Sequence, residues 1–102
     1  MEQINIESTG IRPVVIEEIR EIARHNRVEQ VILFGSRARG DYKRTSDIDL
    51  AVVGGHFAQF ALDVDEDTST LLMYDFVDMS RDIQPELRSD IERDGKILYQ
   101  SN

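Results

Sequence analysis

Four consecutive apolar residues, Val31-Ile32-Leu33-Phe34, stop at Gly35, and no other feature of the 102-residue sequence limits its fold so strongly. A run this short and this uniformly apolar fits a β-strand with both faces covered. A strand of that kind needs helices on either side of its sheet, so the chain is expected to be α/β (equally, α+β): a small mixed sheet flanked by helices. Helical spacing of Ile11, Val15, Ile19, Ile22 and Ala23, with Pro13 in the first turn, predicts a helix through about His25. The strand is expected over 28–34, and Ser36 to Gly40 has room for about one helical turn that Gly40 would end.

Asp47 to Val53 alternates, with Ile48, Leu50 and Val52 facing one way and Asp47, Asp49 and Ala51 the other. Gly54-Gly55 breaks that strand, and Phe57, Phe60, Ala61 and Val64 predict a helix over 56–67. Leu71 to Met79 reads as a third strand with Met73, Asp75 and Val77 on one face and Asp78 on the other. A last helix is expected from Asp82 and Pro85, anchored by Leu87 and Ile91 and ended by Gly95, before a short edge strand over 96–99. One core and one domain, residues 1–102, are expected from this length.

Charge narrows the partners. Twelve basic and twenty acidic residues leave a net charge of −8, which repels a phosphate backbone and disfavours broad nucleic-acid binding. With no cysteine, disulfides and thiolate metal sites are excluded, and the start of the chain lacks a signal pattern. No apolar run reaches the roughly 20 residues of a membrane span. A cytoplasmic protein without a membrane partner is expected.

The chemistry concentrates in one stretch. Gly35 allows a ligand close to the backbone, and Ser36 opens a helical turn whose N–H groups and hydroxyl can hold phosphate oxygens. Ten residues separate Ser36 from Asp47-Ile48-Asp49, two carboxylates of the kind that hard Mg²⁺ prefers. Two-metal phosphoryl chemistry calls for a third carboxylate from a neighbouring strand. Asp75, mid-strand among apolar neighbours, is the candidate, with Asp78 as the fallback. Arg37, Arg39, Lys43 and Arg44 make up a third of all basic residues, a cluster suited to a polyphosphate. Two tempting alternatives fail. Asp63-x-Asp65-x-Asp67 places Thr68 and Tyr74 where a calcium loop needs Gly and Glu, and His25 and His56 are isolated.

Gly35-Ser36 followed at this spacing by Asp47-x-Asp49 resembles the signature of minimal nucleotidyltransferases in the DNA polymerase β-like superfamily. The resemblance extends over Tyr74-Asp75-Phe76-Val77-Asp78 and the closing Asp94-Gly95-Lys96-Ile97-Leu98-Tyr99. It implies the nucleotidyltransferase fold and two Mg²⁺ ions bound by Asp47, Asp49 and Asp75. Asp75 would also act as, or orient, the base for the attacking hydroxyl. It further implies a triphosphate held by Gly35 and Ser36, with Arg37 and Arg39 at basic positions that often follow. Stand-alone domains of this type resemble antitoxins whose partner is a helical HEPN-type toxin. That likeness implies transfer of AMP from ATP to a tyrosine of the partner. Two other functions remain open at this point: modification of a small hydroxylated molecule such as an antibiotic, and neutralisation of a partner by an inactive acidic binding module.

Overall fold

The computed structural model describes residues 1–102. Helix α1 (Pro13–His25) leads into strand β1 (Gln30–Phe34), a single helical turn α2 (Ser36–Arg39) and strand β2 (Ile48–Val53). Helix α3 (Phe57–Asp67), strand β3 (Tyr74–Asp78), helix α4 (Pro85–Asp94) and strand β4 (Lys96–Gln100) follow. The four strands form one sheet in the order β3-β2-β1-β4, with β1 antiparallel to both β2 and β4, and β2 parallel to β3. The expected mixed sheet flanked by helices is present, and no helix is long and apolar enough to cross a membrane.

Side-chain alternation divides the core. Val31 and Leu33 of β1 and Ile48, Leu50 and Val52 of β2 pack with Val15, Ile16, Ile19 and Ala23 of α1 and Phe60 and Val64 of α3. The opposite parity, Ile32, Phe34 and Ala51, packs against Ile91 of α4, with Leu87 at its margin. Both faces of β1 are therefore buried, as its unbroken apolar run requires.

Several boundaries differ from expectation. A 3-10 turn at Ile6–Ser8 precedes α1, formed where Ser8 and Thr9 N–H groups donate to the Asn5 and Ile6 carbonyls. The third strand begins at Tyr74, not Leu71, because Leu72 N–H turns back to the Thr70 hydroxyl and Leu71 is fully exposed. The second strand starts one residue later than expected, leaving Asp47 just outside it. Gly95 ends α4 in extended rather than left-handed backbone. Packing dictates the glycine there: a Cβ would lie 2.4 Å from the Ile91 carbonyl oxygen and 2.7 Å from Ile32 Cγ2.

Ile91 is the one fully buried side chain of α4 and fastens that helix to the sheet. Ile91→Ala should lower unfolding free energy by about 2–5 kcal/mol, the range for emptying such a site. Urea denaturation measures it, and a loss under about 1 kcal/mol would mean that α4 is held by its margins instead.

Candidate functional site

Topology brings three distant parts of the chain to one end of the sheet. β1 arrives there with its C-terminal residue, Phe34, paired with Asp49 near the start of antiparallel β2. β3 runs parallel to β2, so its early residue Asp75 lies in register with Asp49. Asp49 and Asp75 share the α4 face of the sheet, and Asp47 immediately precedes β2. Asp49 is half-buried, whereas Asp47 and Asp75 are exposed. The buried environment expected for Asp75 is thus corrected: β3 is an edge strand, and helix α4 packs over β1.

Gly35 follows directly. Its backbone has φ 73° and ψ −158°, a conformation essentially restricted to glycine. An added Cβ would sit 2.1 Å from Asp49 Oδ2. The missing side chain lets the carboxylate reach the turn between β1 and α2. Ser36 and Arg37, the first helical residues, have N–H groups without intrahelical acceptors. Gly40, left-handed at φ 92°, closes the turn by donating its N–H to the Ser36 carbonyl at 2.9 Å.

Asp49 is the electrostatically stressed member of the group. Burial, then the charges of Asp75 and Asp47, push its pKa up to about 6, while Arg39 pulls it down. Arg39 also pairs with Asp41 at 3.3 Å and with Asp94, at the end of α4, at 3.5 Å. Asp94 is held below the usual carboxylate range by its hydrogen bond from Arg93, with Arg39 adding to that effect.

Arg37 behaves differently from the sequence expectation. It is only 2% exposed and faces the protein interior. Its Nε donates to the Ser46 carbonyl at 3.0 Å, Nη1 to the Thr9 carbonyl at 3.0 Å, and Nη2 to the Arg44 carbonyl at 3.2 Å. The guanidinium also lies 4.8 Å from the ring centroid of Tyr42. Arg37 therefore secures the loop that delivers Asp47 and ties it to the N-terminal segment, with its guanidinium buried among main-chain carbonyls instead of facing solvent. Sequence reasoning missed Tyr42, Thr9 and Asp94 as supports, since their roles arise from contacts distant in the chain.

No set of three His, Cys, Asp or Glu side chains is already disposed to hold a metal ion. The chemistry of the acidic group nevertheless fits a hard divalent cation: all its donors are carboxylate oxygens, and a cation would relieve the repulsion that raises Asp49.

Comparison with known proteins agrees with this geometry. Residues 17–102 match the family described as polymerase beta, nucleotidyltransferase. A Methanocaldococcus jannaschii protein named as a candidate protein adenylyltransferase is 34% identical, over 72% of this chain and 80% of its own length. Among solved structures, a toxin–antitoxin protein crystallised with AMP-PNP superposes with a TM-score of 0.64 at 26% identity, covering 85% of this chain and 74% of that one. A candidate nucleotidyltransferase from Sulfolobus solfataricus gives 0.51 at 28% identity, covering 93% and 86%.

Two outcomes follow from these contacts. Arg37→Lys keeps the charge but cannot reproduce the three-pronged hydrogen bonding, so unfolding free energy measured without nucleotide should fall by about 2–4 kcal/mol. A change within about 0.5 kcal/mol would return Arg37 to a ligand-facing role. For Asp49, a folded pKa raised above its unfolded value means that the folded state binds the proton more tightly. Its ionisation destabilises the fold above pH 6, and that penalty disappears as pH falls from about 6 toward the ordinary carboxylate value of 3.8. In metal-free buffer, Asp49→Asn should therefore melt above the wild type at pH 8, with the gap narrowing below about pH 6 and closing only near about pH 4. A gap independent of pH contradicts the assignment.

Proposed function

The chain belongs to the polymerase β nucleotidyltransferase family, and from that membership we propose that it transfers AMP from ATP to a tyrosine hydroxyl of a helical HEPN-type toxin, acting as the antitoxin. One observation carries the reading: Asp49, in register with Asp75 and next to Asp47, meets the Gly35 turn that opens α2. Carboxylates and a phosphate-holding turn thus converge at one end of the sheet. The candidate adenylyltransferase from M. jannaschii supports a protein acceptor, and the toxin–antitoxin protein crystallised with AMP-PNP supports the nucleotide and the antitoxin role.

Asp47, Asp49 and Asp75 would hold two Mg²⁺ ions, which when bound supply charge neutralisation for the triphosphate and a template for in-line displacement. Gly35 and Ser36 offer the α2 N-terminus to phosphate oxygens, and Arg39, alongside Asp49, adds positive charge where the pyrophosphate departs. The acceptor oxygen forms a bond to the α-phosphorus as the bond to the pyrophosphate oxygen breaks. Asp75, exposed at the sheet edge, receives or orients the departing proton. Of the remaining loop cations, Arg44 lines the hollow at the entrance to β3 beside Arg12.

Intact-mass analysis of the product of the neighbouring gene, the toxin this reading calls for, after incubation with ATP and Mg²⁺, tests the reading. Adenylyl additions to the toxin are expected. They should fall by about a thousandfold or more with Asp47→Asn/Asp49→Asn, since several kcal/mol of transition-state stabilisation are removed. Transfer that survives the double substitution overturns the assignment. Absence of transfer with wild type, alongside complex formation by both proteins, would establish an acidic binding module instead.

A further inference from the structure

The two edges of the sheet are not alike. Along β4 the N-terminal segment covers the outer edge: Ile97 N–H donates to the Glu2 carbonyl at 2.7 Å, and Ile4 N–H to the Ile97 carbonyl at 2.9 Å. The outer edge of β3 has no such cover, because β3 pairs only with β2. Ile48 N–H donates to the Met73 carbonyl and Met79 N–H to the Val52 carbonyl, both at 2.9 Å, so odd-numbered residues of this segment turn their main chain toward β2. Alternation then directs the main-chain groups of Tyr74, Phe76 and Asp78 outward. Of these, the Asp78 carbonyl is met by Arg81 N–H. Tyr74 and Phe76 present both donor and acceptor, a pairing template that folded proteins ordinarily cover or blunt.

This bare edge is one strand away from the reacting groups. Asp49 and Asp75 already lie side by side on neighbouring strands. A further strand on β3 would lie about 4.8 Å beyond it, and its residue opposite Asp75 would project from the same face. We propose that the acceptor docks as an extended segment, adding a fifth strand to the outer edge of β3 with its hydroxyl-bearing residue opposite Asp75. The inference rests on the transferase reading and adds to it how the acceptor is held. Main-chain hydrogen bonds supply the affinity, and the alternation of side chains selects which residue meets Asp75. Charge and apolarity specify the rest of the segment. At the entrance to β3, exposed Leu71 and Met73 share a hollow with Arg12 and Arg44; Arg12 there donates to the Ser69 carbonyl, beside the Glu18 carboxylate that Ser69 also meets, and Arg44 forms no ion pair. The segment therefore carries apolar residues and, a few residues from its hydroxyl residue, an acidic one that meets Arg44.

The probe is a synthetic peptide of roughly nine residues, with one tyrosine among alternating valines and threonines and a glutamate near one end. Two further versions are N-methylated on one or the other set of alternate residues. With ATP and Mg²⁺, the parent peptide should be adenylylated. One N-methylated version should lose about tenfold or more of that rate while the other keeps it, since only one set of amides faces β3. Amide exchange followed by NMR should slow at Phe76 and Asp78 when the parent peptide is added. Equal modification of all three peptides, or no slowing at β3, overturns the docking mode while leaving the transferase intact. Failure to modify or bind the parent peptide while the toxin is adenylylated also overturns it. Protection at β3 without peptide, accompanied by a dimer mass, would show that a second copy occupies the edge and would equally refute the proposal. If neither toxin nor peptide gains AMP, the transferase reading itself fails.

Discussion

The site depends on a close approach between a backbone and a carboxylate. Gly35 comes so near Asp49 that even a methyl group there would overlap Oδ2. That contact couples two requirements. The chain must turn sharply from β1 into α2 through a backbone conformation that side chains disfavour, and Asp49 must stand where a phosphate would meet that turn. The pairing of Phe34 with Asp49 sets the register, so the next residue of the chain meets the carboxylate automatically. A one-residue slip would move Asp49 to the α1–α3 face and put Leu50 at the turn, exchanging core and site together.

Strand direction extends the same constraint to Asp75. The α3 crossover makes β3 parallel to β2, so the beginnings of both strands lie at one end of the sheet. β1 is antiparallel and brings its last residue there. Mixed topology is therefore what collects Gly35, Asp49 and Asp75, separated by as many as forty residues from Gly35 to Asp75, without any long loop entering the site.

Much of this was legible because period-two alternation and a spaced motif report local geometry directly. The unbroken apolar run announced a strand covered on both sides, and the parity of Ile48, Leu50 and Val52 placed Asp49 opposite the main core. Contacts far apart in sequence were not legible. Arg37 and Arg39 look equivalent as letters, yet one turns inward to four carbonyl groups and the other remains near Asp49. Helical rotation between successive positions separates them, but only the position of Thr9 and the loop ending at Ser46 decides which one is buried. Likewise, Asp75 among apolar neighbours suggested burial, and the sheet order made it an edge residue instead.

The energetic character of the site follows from where it was placed. Three carboxylates at one end of a sheet repel each other, and the burial of Asp49 against Gly35 removes the water that would screen them. Moving Asp49 outward would relieve that stress, but the register with Phe34 and the flanking core residues Ile48 and Leu50 hold it in place. A rigid core thus maintains an arrangement that is unfavourable in isolation and becomes favourable when positive charge enters. Arg39 alone only partly offsets it, since Asp41 and Asp94 divide its attention. Positive charge from outside the polypeptide would relieve the remaining repulsion, which is the electrostatic rationale behind the proposal that a divalent cation and a polyphosphate bind there together.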